Sequence, residues 1–385
     1  MNEQVVVTTH TTEWETARER LPKSLSWLDT GFSGGNHVGV QLHVEIVGEE
    51  PVSASTGLAA PGVPMRDDTL AVLRCASKPL LAAAVIRAVD RGLIALTDPL
   101  AHALPDMRNS ALEDITFLEC LSNSLCVPEL AELDQQLDLF TPLPALTDEV
   151  LRRATIRPER IKHTGQYMSW PVVLVGAALE RVFGQPLQDL MRSEVFEPLE
   201  MRDSWVGMPK ERADRYAEQR RCAVLYDCTG DRPRAGSRSA LDGLDPTIAR
   251  PSNGVRAPSR EIATFYRALL LAREGRESQW LSPSAAWMMT TRHRVGLPEP
   301  SGALIDFGLG VELESRHYDK FWMSYGPHCS LSTFGHKGES CFLGFCDPEA
   351  RAVVTVFVNG QIEGMAHGRR MFRLTELVYE DLGLM

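Results

Sequence analysis

The sharpest hydrophobic patterns in this chain lie near its two ends. Val38-Gly39-Val40-Gln41-Leu42-His43-Val44-Glu45-Ile46-Val47 is β-branched and roughly alternating, and Gly48, Glu49 and Glu50 follow as a turn, which predicts the first strand of a hairpin. Toward the other end, Ser332 to Gly338 and Cys341 to Phe345 carry strand signals. Asp347-Pro348-Glu349 then makes a turn into the β-branched and aromatic run Val353 to Val358. A closing helix is expected from Met371 to Leu382. The middle follows another period. Leu80 to Val89 is apolar on nearly every face and stops at Arg91-Gly92, the pattern of a helix buried on all sides. Pro171 to Val182, ending at Gly184, and Ser259 to Arg273, ending at Gly275, read as further helices. Val206 to Pro251 is rich in Arg, Asp, Gly and Pro without clear periodicity, and reads as a long loop over one face.

Strands at both ends around a helical middle imply an α+β fold. An antiparallel sheet flanked by helices is expected from about residues 1–74 and 291–385, with a mainly helical lobe, 75–290, inserted between them. At 385 residues the chain is long enough for two such lobes.

Composition narrows the partners. Forty Lys and Arg against fifty-one Asp and Glu give a net charge of −11, and no basic block interrupts it, so neither nucleic acid nor an anionic membrane is an expected partner. No run approaches the ~20 apolar residues of a bilayer span. Met1 to Arg20 is polar and lacks the apolar core of a secretory signal, which sets a cytoplasmic expectation. Eight cysteines include no Cys-x-x-Cys pair, and ten histidines include no His-Glu-x-x-His, so no metal is expected.

Chemistry concentrates in Cys75-Ala76-Ser77-Lys78-Pro79. Proline is tolerated only near a helix start, which puts Cys75 at the N-terminus of the buried helix. There a free backbone N–H and the positive end of the helix dipole favour the thiolate. Lys78, three residues on, projects from the same face. A nucleophile, an amine and a backbone donor thus coincide. The other seven cysteines read as small buried apolar residues.

The order of motifs around this segment resembles the serine β-lactamase-like superfamily: class C β-lactamases, penicillin-binding proteins and the related esterases and transacylases. In that family Ser-x-x-Lys opens the central helix and a Gly-Leu-x-x-Leu-x-Asp-Pro stretch follows, as in Gly92-Leu93-Ile94-Ala95-Leu96-Thr97-Asp98-Pro99. The family's Tyr-x-Asn corresponds to Tyr167-Met168-Ser169, with Gly176 nine residues after the tyrosine. Gly184-Gln185-Pro186-Leu187 and Pro198-Leu199-Glu200-Met201 resemble its Gly-x-Pro-Leu and Pro-Leu-Gly-Met segments, and His336-Lys337-Gly338 its final Lys-Thr-Gly or His-x-Gly strand. Three positions depart from the pattern: the nucleophilic serine is Cys75, the asparagine is Ser169, and the third motif opens with His336 instead of lysine. Ser77 cannot replace the nucleophile, being adjacent to Lys78. Lys337 faces away from His336 if the segment is a strand.

The resemblance implies that Cys75 attacks an ester or amide carbonyl while Lys78 and Tyr167 shuttle the proton. The N–H groups of Cys75 and of Glu339, the residue after Gly338, would form the oxyanion hole, and Ser169 and His336 would face substrate. Neither a metal nor an organic cofactor is implied. A thioester is more reactive toward amines, relative to water, than an oxygen ester. The cysteine therefore points to an amide-forming transacylase with a small-molecule acyl donor and an amine acceptor, as some members are in secondary metabolism. A cytosolic esterase or amidase and a catalytically inactive binding module stand as the alternatives.

Overall fold

The computed structural model of the chain describes residues 10–131, 133, 142–154, 159–236, 245–276, 280–318 and 325–385. Its centre is a seven-stranded antiparallel sheet. In chain order the strands are β1 (Gly39–Ile46), β2 (Val52–Ala60), β3 (Val63–Pro64), β4 (Glu312–Leu313), β5 (Phe334–Gly338), β6 (Phe342–Asp347) and β7 (Ala352–Val358). They lie in the order β3-β2-β1-β7-β6-β5-β4. The first and last segments of the chain meet in the middle, with Val40 opposite Val358 and Val44 opposite Val354. The fold is therefore the expected α+β one, an antiparallel sheet drawn from both ends with helices on its faces.

The run Val353 to Val358 is apolar at almost every position because β7 is buried on both faces. Val354, Val356 and Val358 pack with Trp14, Leu25, Leu28, Leu374 and Val378 from the terminal helices. Val353 and Phe357 pack into the main core on the other face, with Tyr266 and Leu269. Four helices matter most for the site and its support: α1 (Lys78–Asp90), α2 (Trp170–Phe183), α3 (Ser259–Arg273) and α4 (Gly364–Leu382). The expected boundary at residue 290 leaves α3 with the helical lobe; in the structure it lies on β1, β6 and β7. Helix α1 is buried on every side, Leu80 to Ile86 being at most 1% exposed, and three consecutive alanines let its neighbours approach closely. Among the described residues, no helix is long and apolar enough to cross a membrane.

Three expectations need correction. Cys75 does not open the α-helix: it sits in a 3₁₀ turn, Arg74–Ser77, and the α-helix starts at Lys78 with Pro79 in its first turn, where a missing N–H costs nothing. Ahead of β1, helices Thr12–Arg18 and Pro22–Ser33 form, the second covering the sheet with Leu25 and Leu28. Helix α4 begins at Gly364, seven residues before Met371. Its first turns contain two glycines, poor helix formers, and are held instead by tertiary contacts, with Arg370 donating to the carbonyls of Asn36, Ser340 and Gly360. The segment 206–251 contains a helix, Lys210–Glu218, whose charged sequence buries only Tyr216 and is supported by the Lys210–Asp214 pair. The short strands Tyr226–Asp227 and Arg234–Ala235 follow it, and residues 237–244 lie outside the described part.

The end of β5 abuts the turn that carries Cys75. A Cβ added to Gly338 would stand 2.3 Å from the Leu73 carbonyl oxygen and 2.9 Å from the Phe342 Cβ. Backbone cannot yield as a flexible side chain would. Gly338→Ala is therefore expected to destabilise the fold by about 1–3 kcal/mol, the usual cost of overpacking, read as a lower denaturation midpoint in urea. An unchanged midpoint would show that the two segments are free to separate.

Candidate active site

The site forms where α1, the segment before α2 and strand β5 meet. Lys78, the first residue of α1, is 2% exposed, and its backbone N–H donates to the Cys75 carbonyl, which fixes the two residues one tight turn apart. The Lys78 Nζ donates to the Tyr167 hydroxyl at 2.9 Å and stands 4.6 Å from the centre of the same ring. Among the described residues no carboxylate comes within ion-pair distance of this amine. A buried amine is thus met by a phenol oxygen and an aromatic face instead of a carboxylate.

His336 stands behind the tyrosine, its Nε2 3.5 Å from the Tyr167 hydroxyl. Its Nδ1 lies 2.8 Å from the Lys337 carbonyl, and a carbonyl can only accept, so Nδ1 carries the hydrogen and Nε2 offers its lone pair to Tyr167. Burial pushes this imidazole down to about 4; Lys78 adds to that shift and Glu312 opposes it. The ring is therefore neutral near pH 7 and accepts the tyrosine's proton, while the tyrosine oxygen accepts from Lys78. At 1% exposure His336 faces Tyr167 and not solvent. Lys337 alternates to the other side, with its Nζ 3.6 Å from Glu312 and 5.2 Å from the Tyr325 ring centre.

Tyr167 is held by groups that the sequence did not single out. Its backbone N–H donates to Glu299 at 3.1 Å, Glu299 is paired with the fully buried Arg294 at 2.8 Å, and Arg294 donates to the Asn123 carbonyl at 2.9 Å. Gly165 permits this closeness, since a Cβ there would stand 2.6 Å from the Asn123 carbonyl oxygen and 2.7 Å from the guanidinium carbon of Arg294. Phe307 stacks on the Tyr167 ring. Arg294, Glu299 and Phe307 lie more than 120 residues from Tyr167 in a polar stretch without periodicity, so no local signal marked them.

The structure thus brings Lys78, Tyr167 and His336 together, with Cys75 one turn ahead of the lysine and Gly338 and Glu339 at the end of the same strand as His336. Ser169 is half-buried and takes the N-cap position of α2, where its carbonyl accepts from Val172 and Val173; its side chain does not cap the helix.

This arrangement has relatives. Residues 27–376 match the family described as Beta-lactamase. The chain belongs to the beta-lactamase family. It is similar to Esterase EstB of Burkholderia gladioli, 32% identical over 169 residues, a match covering 40% of this chain and 43% of that protein. It is also similar to Esterase/beta-lactamase LipL of Mycobacterium tuberculosis, 27% identical over 346 residues, covering 83% of this chain and 76% of the relative. The fold is shared with EstCE1, described as a hydrolase with promiscuous acyltransferase activity, at TM-score 0.76 and 19% identity over 96% of this chain and 100% of that one. The chain is an enzyme of the beta-lactamase type, with esterases among its relatives.

Two measurements check the site. The unfolded chain takes a proton on His336 near the ordinary 6.5, whereas the folded site resists until about 4. Its contribution to stability is present above pH 6.5 and lost as pH falls through that window. His336→Gln is expected to lose less stability between pH 7 and 4 than the parent, measured as urea midpoints; parallel curves would mean that the imidazole takes up its proton alike in the folded and the unfolded chain. The second concerns thiols. Cys75 is half-exposed, whereas Cys120, Cys126, Cys228, Cys329, Cys341 and Cys346 are buried. Burial also pushes the half-exposed Cys222 up. Competitive alkylation with peptide mapping is expected to label Cys75 first, and faster labelling of Cys222 would contradict this order.

Proposed function

We propose that this chain is an acyl-enzyme catalyst that takes an acyl group from an ester or amide onto Cys75 and passes it to an amine. The observation that carries the reading is the 2.9 Å hydrogen bond from the buried Lys78 amine to Tyr167, one turn beyond the cysteine. In the first half-reaction the Cys75 Sγ attacks the carbonyl carbon while the Lys78–Tyr167 pair takes the thiol proton. The carbonyl π electrons move to oxygen, where the N–H groups of Cys75 and Glu339 stabilise them. Collapse expels the alcohol or amine, which receives the proton from the pair. In the second half-reaction an amine attacks the thioester, gives its proton to the pair, and displaces the Cys75 sulfur, which takes that proton from the pair and is again a thiol. The sulfur leaving group favours amine over water. Small-molecule donor and acceptor suffice, and the scheme calls for no cofactor. A cytosolic setting, which keeps thiols reduced, suits a cysteine nucleophile.

A hydrolytic reading, with water as acceptor, is favoured by the names of EstB and LipL, both esterases, and the description of EstCE1 joins hydrolysis with acyl transfer. The inactive-module reading leaves the buried amine unexplained, because a binding fold gains nothing from burying a polar group that an apolar side chain could replace.

Supplying an ester donor with a range of amines, and measuring amide against free acid by mass spectrometry, separates the readings. Cys75→Ser is expected to shift product from amide toward acid, Cys75→Ala to abolish both, and Lys78→Ala to slow both by a factor of about 10²–10⁴. Equal amide-to-acid ratios for the cysteine and serine forms would leave the esterase reading ahead.

A further inference from the structure

The residue before Cys75 is unusual. Arg74 has a φ of +50°, the left-handed region that a residue with a Cβ adopts only at a steric cost. Glycine would supply this bend without that cost, so the backbone alone does not call for an arginine. Its side chain is 1% exposed, and its Nη1 stands 3.2 Å from an oxygen of Glu339, whose own side chain is 60% exposed. The two partners are joined directly to the two proposed oxyanion donors. The Arg74 carbonyl carbon is bonded to the Cys75 nitrogen, and Glu339 carries the second N–H on its own backbone. The ion pair therefore closes a bridge across the oxyanion hole. The same two segments also touch where Gly338 meets the Leu73 carbonyl and where the Cys341 thiol donates to the Val72 carbonyl at 3.6 Å.

We propose that Arg74 and Glu339 are positioning residues, a side-chain clamp that fixes the distance between the Cys75 and Glu339 N–H groups and so sets the strength of the oxyanion hole. The inference rests on the acyl-enzyme reading above. It assigns the side chains a task separate from the nucleophile's: a hole held together by contacts on one side only can open, and donors must stay within about 0.5 Å of their productive positions to act. Arg74 makes the turn and also spans to Glu339, which a glycine there could not do.

The test compares the full-length native chain with Glu339→Gln, which keeps size and removes charge, and Arg74→Gly, which keeps the bend and removes the clamp. Three readouts are taken. Turnover of p-nitrophenyl butyrate gives kcat and KM. Binding of hexanal gives the affinity for a hemithioacetal on Cys75, in which the S–C bond forms and the carbonyl π pair becomes an oxygen lone pair in the hole. Alkylation by iodoacetamide expels iodide and builds no oxyanion. Both variants are expected to lose about 10- to 100-fold in kcat, the scale of a small misplacement, with a matching loss of hexanal affinity and with KM and the alkylation rate unchanged. Rescue of kcat toward the native value in Arg74→Lys would add support. Native kcat and hexanal affinity in the variants would overturn the clamp, as would a fall in alkylation parallel to the other losses, which would mark a merely structural role. Should Arg74→Gly fail to fold, Glu339→Gln, at an exposed residue, decides alone. If the native chain itself forms neither a hemithioacetal nor an acyl adduct on Cys75, the acyl-enzyme reading falls and takes the clamp with it. That outcome differs from one in which the native chain reacts and the variants react equally.

Discussion

A buried lysine amine, with no carboxylate within ion-pair distance among the described residues, is the constraint around which this molecule is arranged. Lys78 is taken out of water by a helix with no exposed face, and the cost of that step is met by a phenol oxygen at 2.9 Å and the ring it belongs to. The tyrosine must then be held in place, and its hydroxyl proton must point away from the amine. A neutral imidazole supplies the second condition. His336 can be neutral because it is as deeply buried as the lysine and because the Lys337 carbonyl claims its Nδ1 hydrogen. A histidine in this tautomer meets the Tyr167 hydroxyl as an acceptor, which leaves the tyrosine oxygen free to accept from Lys78.

The sheet is the reason these groups can be placed so closely. Because its centre is built from β1 and β7, the strands nearest the two ends of the chain, the helical segments between them must return to it, and α1 is buried in the process. Strand β5 sits near the edge of the sheet, and its last residues leave the ladder beside the turn that carries Cys75. Two glycines mark close approaches around the site, Gly338 at the Leu73 carbonyl and Gly165 at Arg294 and the Asn123 carbonyl. At both places backbone or a packed guanidinium occupies the volume that a side chain would need.

The position of the cysteine has chemical weight in this frame. In the proposed reaction the nucleophile is a sulfur, that of Cys75, one turn ahead of the assembled Lys78 and Tyr167. A thiol needs less help to ionise than a hydroxyl and makes a better leaving group, so the same amine and phenol are relevant chiefly to the proton of the leaving group and of the incoming acceptor.

Local pattern by itself determined the strands Val38 to Val47 and Val353 to Val358, the fully buried helix after Lys78, and the helices ending at Gly184 and Gly275, because each is written in side chains whose period matches its own element. It also marked Cys75, Lys78, Tyr167 and His336, though only through the order of short motifs, since none of them is distinctive alone. Tertiary structure decided the rest. The start of α4 rests on Arg370 contacts that no helix propensity records, and the helix Lys210–Glu218 hides in a charged stretch that reads as loop. The residues that hold Tyr167 come from 294–307, and the arginine that precedes the cysteine pairs with Glu339, 265 residues away. Contacts of that kind depend on which segments the sheet brings together. A single chain carries no periodic signal for them, because each partner is one residue in a stretch whose neighbours point elsewhere.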